Sequence, residues 1–259
     1  MIENNTQGAG IVAEQLANKA SPDGHTAVML TAGYAGRAAL HQGLAFDPLD
    51  GFSFVTGVCG YPMAYLVAPN SPIKSFADML QRAKAKPNAL TYTINAMGSI
   101  HHLLTEWISM ETGIKMTPIP YRGAAPALTD VLGGRVDVMV ETATSGFPRV
   151  RTGAMRMLAV SSKERYPLMP DAPTVHEVVP GIEFMSWLGL AMPPRTPSAI
   201  VDRFAGEVHR ALALPDVQKK LAEGGNVATP LAPAEFRDRV AREIKNWSRV
   251  IKAAGIKTG

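Results

Sequence analysis

The sequence predicts an α/β protein of two domains, the first of them discontinuous. Apolar, β-branched runs bounded by turn residues alternate with stretches of helical periodicity, the pattern of layered α/β folds with largely parallel sheets. After Pro193-Pro194 the pattern becomes almost wholly helical. The simplest route for that tail returns it onto the first sheet. The expected domains are therefore 1–66 with 189–259 and 67–188, joined by crossing segments at 63–69 and 187–194.

Strand candidates lie at 26–31, 54–59, 63–68, 90–94, 116–119, 136–141, 155–161 and 184–191. Between them, 75–84 opens with the capping pair Ser75 and Asp78, and Ile100, Leu103, Leu104, Trp107 and Ile108 share one helical stripe. The stretch 121–141 contains a turn ended by Gly123, then a short helix with Pro126 in its first turn and Leu128, Val131 and Leu132 on one face. Gly133-Gly134 stops that helix before an apolar strand. In the tail, Thr196 is the expected cap of a helix started by Pro197, Leu214-Pro215 breaks it, and Phe236, Val240, Ile244, Trp247 and Ile251 form a last apolar stripe.

At 259 residues, 46% hydrophobic and 19% charged, the chain has the make-up of an ordinary globular protein large enough for more than one core. A net charge of +4 mildly favours anionic ligands, but the basic residues are scattered and form no nucleic-acid motif, so no nucleic-acid partner is expected. Cys59 is the sole cysteine, which excludes an internal disulfide and a cysteine zinc site and suits a buried, inert thiol. No apolar run approaches the ~18 residues of a membrane span. The first residues lack the basic and apolar regions of a secretory signal, so the chain as written carries no signal peptide.

Ligands of open α/β sheets gather beyond the carboxyl ends of the strands, where loops lead into helix N-termini. Three loops qualify: 31–34, 95–99 and 141–145. In the second, Ser99 is the expected N-cap, and Ile100, His101 and His102 put no carboxylate in the first turn. That leaves the turn's N–H groups for an external anion, with Asn95, Gly98 and Ser99 around it. His102 lies about 200° from Ile100 on the helical wheel, off the apolar stripe. It suits a ligand contact or an exposed ring beside Glu106.

Glu141 has the opposite sign and suits an ammonium or hydroxyl group, or simply a solvated strand end; Thr142 follows it. Thr31, Ala32 and Gly33 form the small polar loop after the first strand, and Trp187 offers either a ring to a cleft or a core side chain. Catalytic motifs are missing. Gly8-Ala9-Gly10-Ile11-Val12-Ala13 matches a dinucleotide fingerprint without its strand or its acidic partner, and Ser99 and Ser145 lack the nucleophile elbow. Neither His101 nor His102 belongs to a His-Glu-x-x-His pair, so no catalytic residue, metal or cofactor is expected.

Many phrases, in one order and spacing, resemble the Bug family, the periplasmic solute receptors of tripartite tricarboxylate transporters. They include Pro22-Asp23-Gly24, Phe46-Asp47-Pro48-Leu49, Gly98-Ser99 with His102-Leu103, Tyr121 through Val136, Leu158-Ala159-Val160-Ser161, Pro170-Asp171-Ala172-Pro173-Thr174 and Ala253-Ala254-Gly255-Ile256. The resemblance runs from about Ile2 to the C-terminus. It implies a two-domain, periplasmic-binding-protein-like (type II) fold with two crossing hinge segments. It further implies a monomeric receptor that captures a small organic carboxylate in an interdomain cleft and delivers it to membrane transporter subunits, with no catalysis and no cofactor.

The family's ligand-contacting loop corresponds to Gly98-Ser99 with His102, Glu141 stands where many members carry Asp, and the periplasm is the expected compartment. The chain starts after the family's export signal and first strand–helix unit, which leads one to expect weakened ligand binding and a less stable first domain. A remnant that binds weakly or not at all is one alternative. A small-molecule enzyme using Ser99, His102 and Glu141 is another.

Overall fold

The computed structural model describes residues 1–5, 10–40 and 43–256. In chain order the elements begin α1 (Ile11–Asn18), β1 (Val28–Thr31), α2 (Gly33–Leu40), β2 (Ser53–Val67), α3 (Phe76–Ala85), β3 (Thr91–Ile94) and α4 (Ile100–Thr112). They continue β4 (Thr117–Pro120), α5 (Ala124–Leu132), β5 (Met139–Thr142), α6 (Ala143–Arg151), β6 (Arg156–Val160), α7 (Val175–Val178) and β7 (Met185–Met192). The tail holds α8 (Ser198–Leu212), α9 (Pro215–Glu223), β8 (Val227–Ala228) and α10 (Pro233–Ala254). Two compact units result: Met1–Gly60 with Trp187–Ser248, and Tyr61–Ser186 with the chain from Arg249.

In the first unit β1 pairs antiparallel with β7, β7 neighbours β2, and β8 pairs antiparallel with β2 at Cys59 and Gly60. In the second unit β2 is flanked by β5 and β6, both antiparallel. A parallel bridge between Tyr92 and Val138 joins β5 to β3, and β3 pairs in parallel with β4. Parallel pairing is thus found on the β4–β3–β5 side, where helices connect the strands, and in a bridge between Val160 of β6 and Thr174. The expected two strands at 54–59 and 63–68 are one continuous strand, because Pro62 falls between the registers of β8 and β5 and costs neither a ladder hydrogen bond.

Helix ends follow local chemistry. Ser75 caps α3 by accepting the Asp78 N–H, while Asp78 reaches back to the Lys74 N–H. Gly123, at φ 104°, opens α5, which buries Ala127 and Val131; Leu132 is exposed rather than part of the apolar face. Thr196 does not cap α8: its hydroxyl donates back to the Pro193 carbonyl. The helix α1, with Gly10 at φ 99° before it, was not foreseen; Gly8 and Ala9 of the fingerprint stretch lie outside the described residues. Cys59 is a buried free thiol.

The first unit's core is an aromatic stack. Trp187 and Phe54 both meet the Phe236 ring edge-on, at 5.1 Å and 5.6 Å between centroids. The second unit's core gathers Leu66, Val131, Val136, Met139 and Val160 around β2. A Cβ on Gly189 of β7 would lie 2.1 Å from Phe236 Cζ. Gly189→Ala should therefore lower stability by about 1–3 kcal/mol through overpacking, measurable as a lower urea midpoint at unchanged m-value.

Candidate functional site

In the second unit the carboxyl ends of β3 and β5 lie side by side. The Thr93 N–H donates to the Val138 carbonyl, and the Thr93 hydroxyl accepts the Val140 N–H at 3.1 Å. Each strand runs straight into a helix, β3 through the 95–99 loop into α4 and β5 directly into α6, so two helix N-termini arise from neighbouring strands. Both first turns lack acidic residues. Thr142 caps α6 by accepting the Ser145 N–H at 3.2 Å. Ser99 stands at the N-cap of α4 but makes no capping bond, and its buried Oγ has no partner among the described residues.

The adjacent histidines take opposite roles. His102 is buried, and its Nδ1 accepts the Gly98 N–H at 3.0 Å. Its Nε2 lies 3.8 Å from Glu106, whose carboxylate also accepts the Tyr92 hydroxyl at 3.0 Å. Burial pushes the His102 ring down to about 4, and burial likewise raises Glu106 although Tyr92 opposes the shift. His102 is therefore not on the open face that the wheel gives it: its Nδ1 is occupied and its ring is enclosed.

His101, which sequence reasoning passed over, points the other way. Both of its ring nitrogens are buried without a hydrogen-bond partner among the described residues, and Nε2 lies 3.9 Å from Glu141 Oε1. Burial works against the Glu141 charge, but His101, the Thr142 N–H at 2.8 Å and Arg149 outweigh it and hold the carboxyl below its usual range. Arg149 also reaches the Ser145 hydroxyl at 3.1 Å. The structure thus gathers His101, Glu141, Thr142, Ser145 and Arg149, with Ser99 two residues before His101 at the start of α4. Gly98 is buried beneath the loop at φ 76°, and Asn95 is exposed on it.

The first unit has its own polar cluster. Thr31 is exposed, Ala32 donates its N–H to the Trp187 carbonyl at 3.0 Å, and Gly33 begins α2. A Cβ on Gly33 would lie 3.1 Å from Arg37 Nη1 and 3.3 Å from Thr31 Oγ1, so glycine keeps the Arg37 guanidinium close to this loop. Arg37 pairs with the buried Glu14 of α1, whose carboxyl is raised by burial despite the pairing, and its buried Nε has no partner among the described residues.

Trp187 belongs to the core. It is fully buried, its Nε1 donates to both Glu243 oxygens at 2.9 and 2.8 Å, and it has no polar atom left for a ligand. Grooves of about 540 and 440 Å³, one in each unit, include none of Ser99, His101 or Glu141. Among the described residues no cluster of His, Cys, Asp or Glu could hold a metal ion, and no helix is long and apolar enough to cross a membrane.

An α/β fold in two units, the first assembled from separate stretches of chain, with polar loops at the strand ends, defines a solute-binding protein of the periplasmic-binding-protein type. The chain belongs to the tripartite tricarboxylate transporter family of receptors, whose model matches residues 1–256. It is similar to Rpa4515 of R. palustris, solved with adipate, at 32% identity and TM-score 0.88, over 99% of this chain and 87% of that one. It is also similar to MatC (Rpa3494) of Rhodopseudomonas palustris, solved with bound malate, at 28% identity and TM-score 0.80, over 95% and 85%. A third similar structure, the periplasmic binding protein BugD, shares 25% identity at TM-score 0.82 over 96% and 85%. The protein is a solute-binding receptor rather than an enzyme.

The His102 ring carries a stability signature. Its folded value of about 4 lies below the ordinary 6.5. Between those values the unfolded chain binds a proton that the folded one refuses, so stability falls as the pH drops from 6.5 toward 4. The expected slope is up to about 1.4 kcal/mol per pH unit. Chemical denaturation of wild type and His102→Asn across this range checks it: the slope should be shallower in the variant.

Proposed function

We propose that this chain is an extracytoplasmic receptor for a small organic carboxylate, held at the N-termini of α4 and α6 in the second unit. The observation that carries this is the set of unspent donors there. Among the described residues Ser99 Oγ and the His101 ring nitrogens are buried without a hydrogen bond, the ring offering at least one N–H, beside a helix start whose first turn bears no carboxylate. Leaving such groups unmet costs about 1–3 kcal/mol each, a cost an acid's oxygens would relieve. The adipate and malate bound by similar receptors support the same ligand class. The periplasm is the compartment this reading implies, as for BugD, and a monomer that delivers its acid to the membrane subunits of a tripartite tricarboxylate-type transporter is the working assembly.

Titration calorimetry against adipate, malate, amino acids and simple amines tests the reading. A saturable signal from one acid and none from amines is expected. Ser99→Ala should then weaken that acid by roughly ten- to a hundredfold, the worth of one hydrogen bond to a charged group. Should no acid bind to a cooperatively folding protein, the proposed function is wrong.

Glu141 adds a preference. An ionised carboxylate in the cradle repels a second carboxylate and attracts a donor, which favours hydroxy or amino acids over unsubstituted diacids. Glu141→Gln should shift the ratio of those affinities toward unsubstituted diacids by roughly tenfold. An unchanged ratio would remove Glu141 from the site.

A further inference from the structure

The α4 N-terminus departs from the usual arrangement of a serine cap. An N-cap serine ordinarily turns its oxygen onto the N–H two or three residues on, and so closes the first turn. Here Ser99 makes no such bond, yet the turn is well defined, with the Leu103 N–H on the Ser99 carbonyl at 2.8 Å. The loop before it is held from the other side. Gly98, in the left-handed region at φ 76°, donates its N–H to His102 Nδ1, a ring one helical turn further on and itself 2% exposed. The Ser99 N–H closes the loop on the Ala96 carbonyl at 3.1 Å.

We propose that His102 is a positioning residue for the ligand. By accepting the Gly98 N–H, its ring ties the loop to α4 from outside the helix, so the loop's position does not depend on a Ser99 cap, and the Ser99 hydroxyl and the first turn of α4 stay open for the acid. This inference rests on the reading of that turn as the carboxylate site.

The chemistry fixes the state of the ring. A nitrogen that accepts carries no proton, so the neutral ring must be the Nε2–H tautomer, with that N–H directed toward Glu106 at 3.8 Å. Protonation would add a hydrogen at Nδ1, facing the Gly98 N–H with a second donor. The bond would be lost and the loop with it. The ionisable groups around the ring are Glu106 on α4 itself, Tyr92 of β3, which donates to Glu106, and Tyr65 of β2, which bonds Thr105 at 3.1 Å. None places a full charge directly on Nδ1, and burial keeps the ring neutral down to about 4. Acid binding is therefore expected to be linked to one proton on this ring.

The test combines nitrogen NMR of the ring with ligand titrations of wild type, His102→Asn and His102→Leu between pH 7 and pH 4. Asparagine offers Oδ1 close to the position of Nδ1 and does not titrate; leucine offers no acceptor. The expected ring spectrum is that of the Nε2–H tautomer, with the Gly98 amide protected from exchange. At pH 7, His102→Leu should bind the acid roughly two- to tenfold more weakly, the range of one hydrogen bond, with the asparagine variant restoring most of the affinity. As the pH nears 4, where about half the rings are protonated, the wild type should lose affinity by up to about twofold relative to His102→Asn, a ratio from which the ligand's own titration and that of Glu141 cancel.

A ring protonated on Nδ1 at pH 7 overturns the positioning role whatever the variants do. Parallel pH profiles of wild type and His102→Asn overturn it while leaving the receptor reading intact. A wild type that binds no acid at any pH overturns both. Equal unfolding midpoints of the two variants at pH 7 would show that their difference in affinity is not a difference in folding.

Discussion

The strand β2 imposes the constraint on which the rest of the structure depends. Nearly every residue of Ser53–Val67 is buried, and each of its non-proline backbone units carries a donor and an acceptor that need partners away from water. The chain meets that requirement with separate sets of neighbours. β7 and β8 serve the earlier part of the strand, and β5 and β6 the later part. Because β5 is fixed by this pairing, the loop that follows it is fixed too, and through the bridge to β3 so is the start of α4. The Thr93 hydroxyl, bonded to both the Val140 N–H and its carbonyl, locks the two strand ends together.

Much of this was legible in the residues. Alternating apolar runs gave most strands to within a residue or two, and Ser75, Gly123, Gly133 and Pro215 marked helix ends as their chemistry requires. The misreadings have physical causes. Gly60-Tyr61-Pro62 looks like a turn, but a proline placed between two ladders does not interrupt a strand. A largely parallel sheet was expected from the alternation of strands and helices, yet one long strand flanked by several partners imposes antiparallel ladders. Val136 and Val138 are apolar like strand residues, but β5 begins only at Met139, after the Asp137 carboxylate has turned to the Thr91 N–H and hydroxyl.

The site was half legible. The 95–99 and 141–145 loops followed from strand and helix order, as did the carboxylate-free first turn of α4. Which histidine faces the loop did not follow. A helical wheel assigns polar residues to the open face, whereas α4 buries His102 and Thr105 together with its apolar stripe, each satisfied by a specific partner. Hydrophobicity carries no information about such pairings. The wheel's other histidine, His101, instead turns its Nε2 to within 3.9 Å of Glu141. Trp187 shows the same limit: only the presence of Glu243, far along the chain, decides that its indole faces inward.

That indole has an optical consequence. Trp187 and Trp247 are fully buried in the first unit, and Trp107, half buried, is the tryptophan of the second. Trp187 emits from beside a carboxylate and beneath the Arg239 guanidinium, 5.9 Å from its ring, so its charge environment is unlike that of a tryptophan in an apolar core. Its emission colour and lifetime are tied to one ion-paired pocket in one unit. The chain thus carries its own fluorophore for distinguishing loosening of the first unit from events confined to the second.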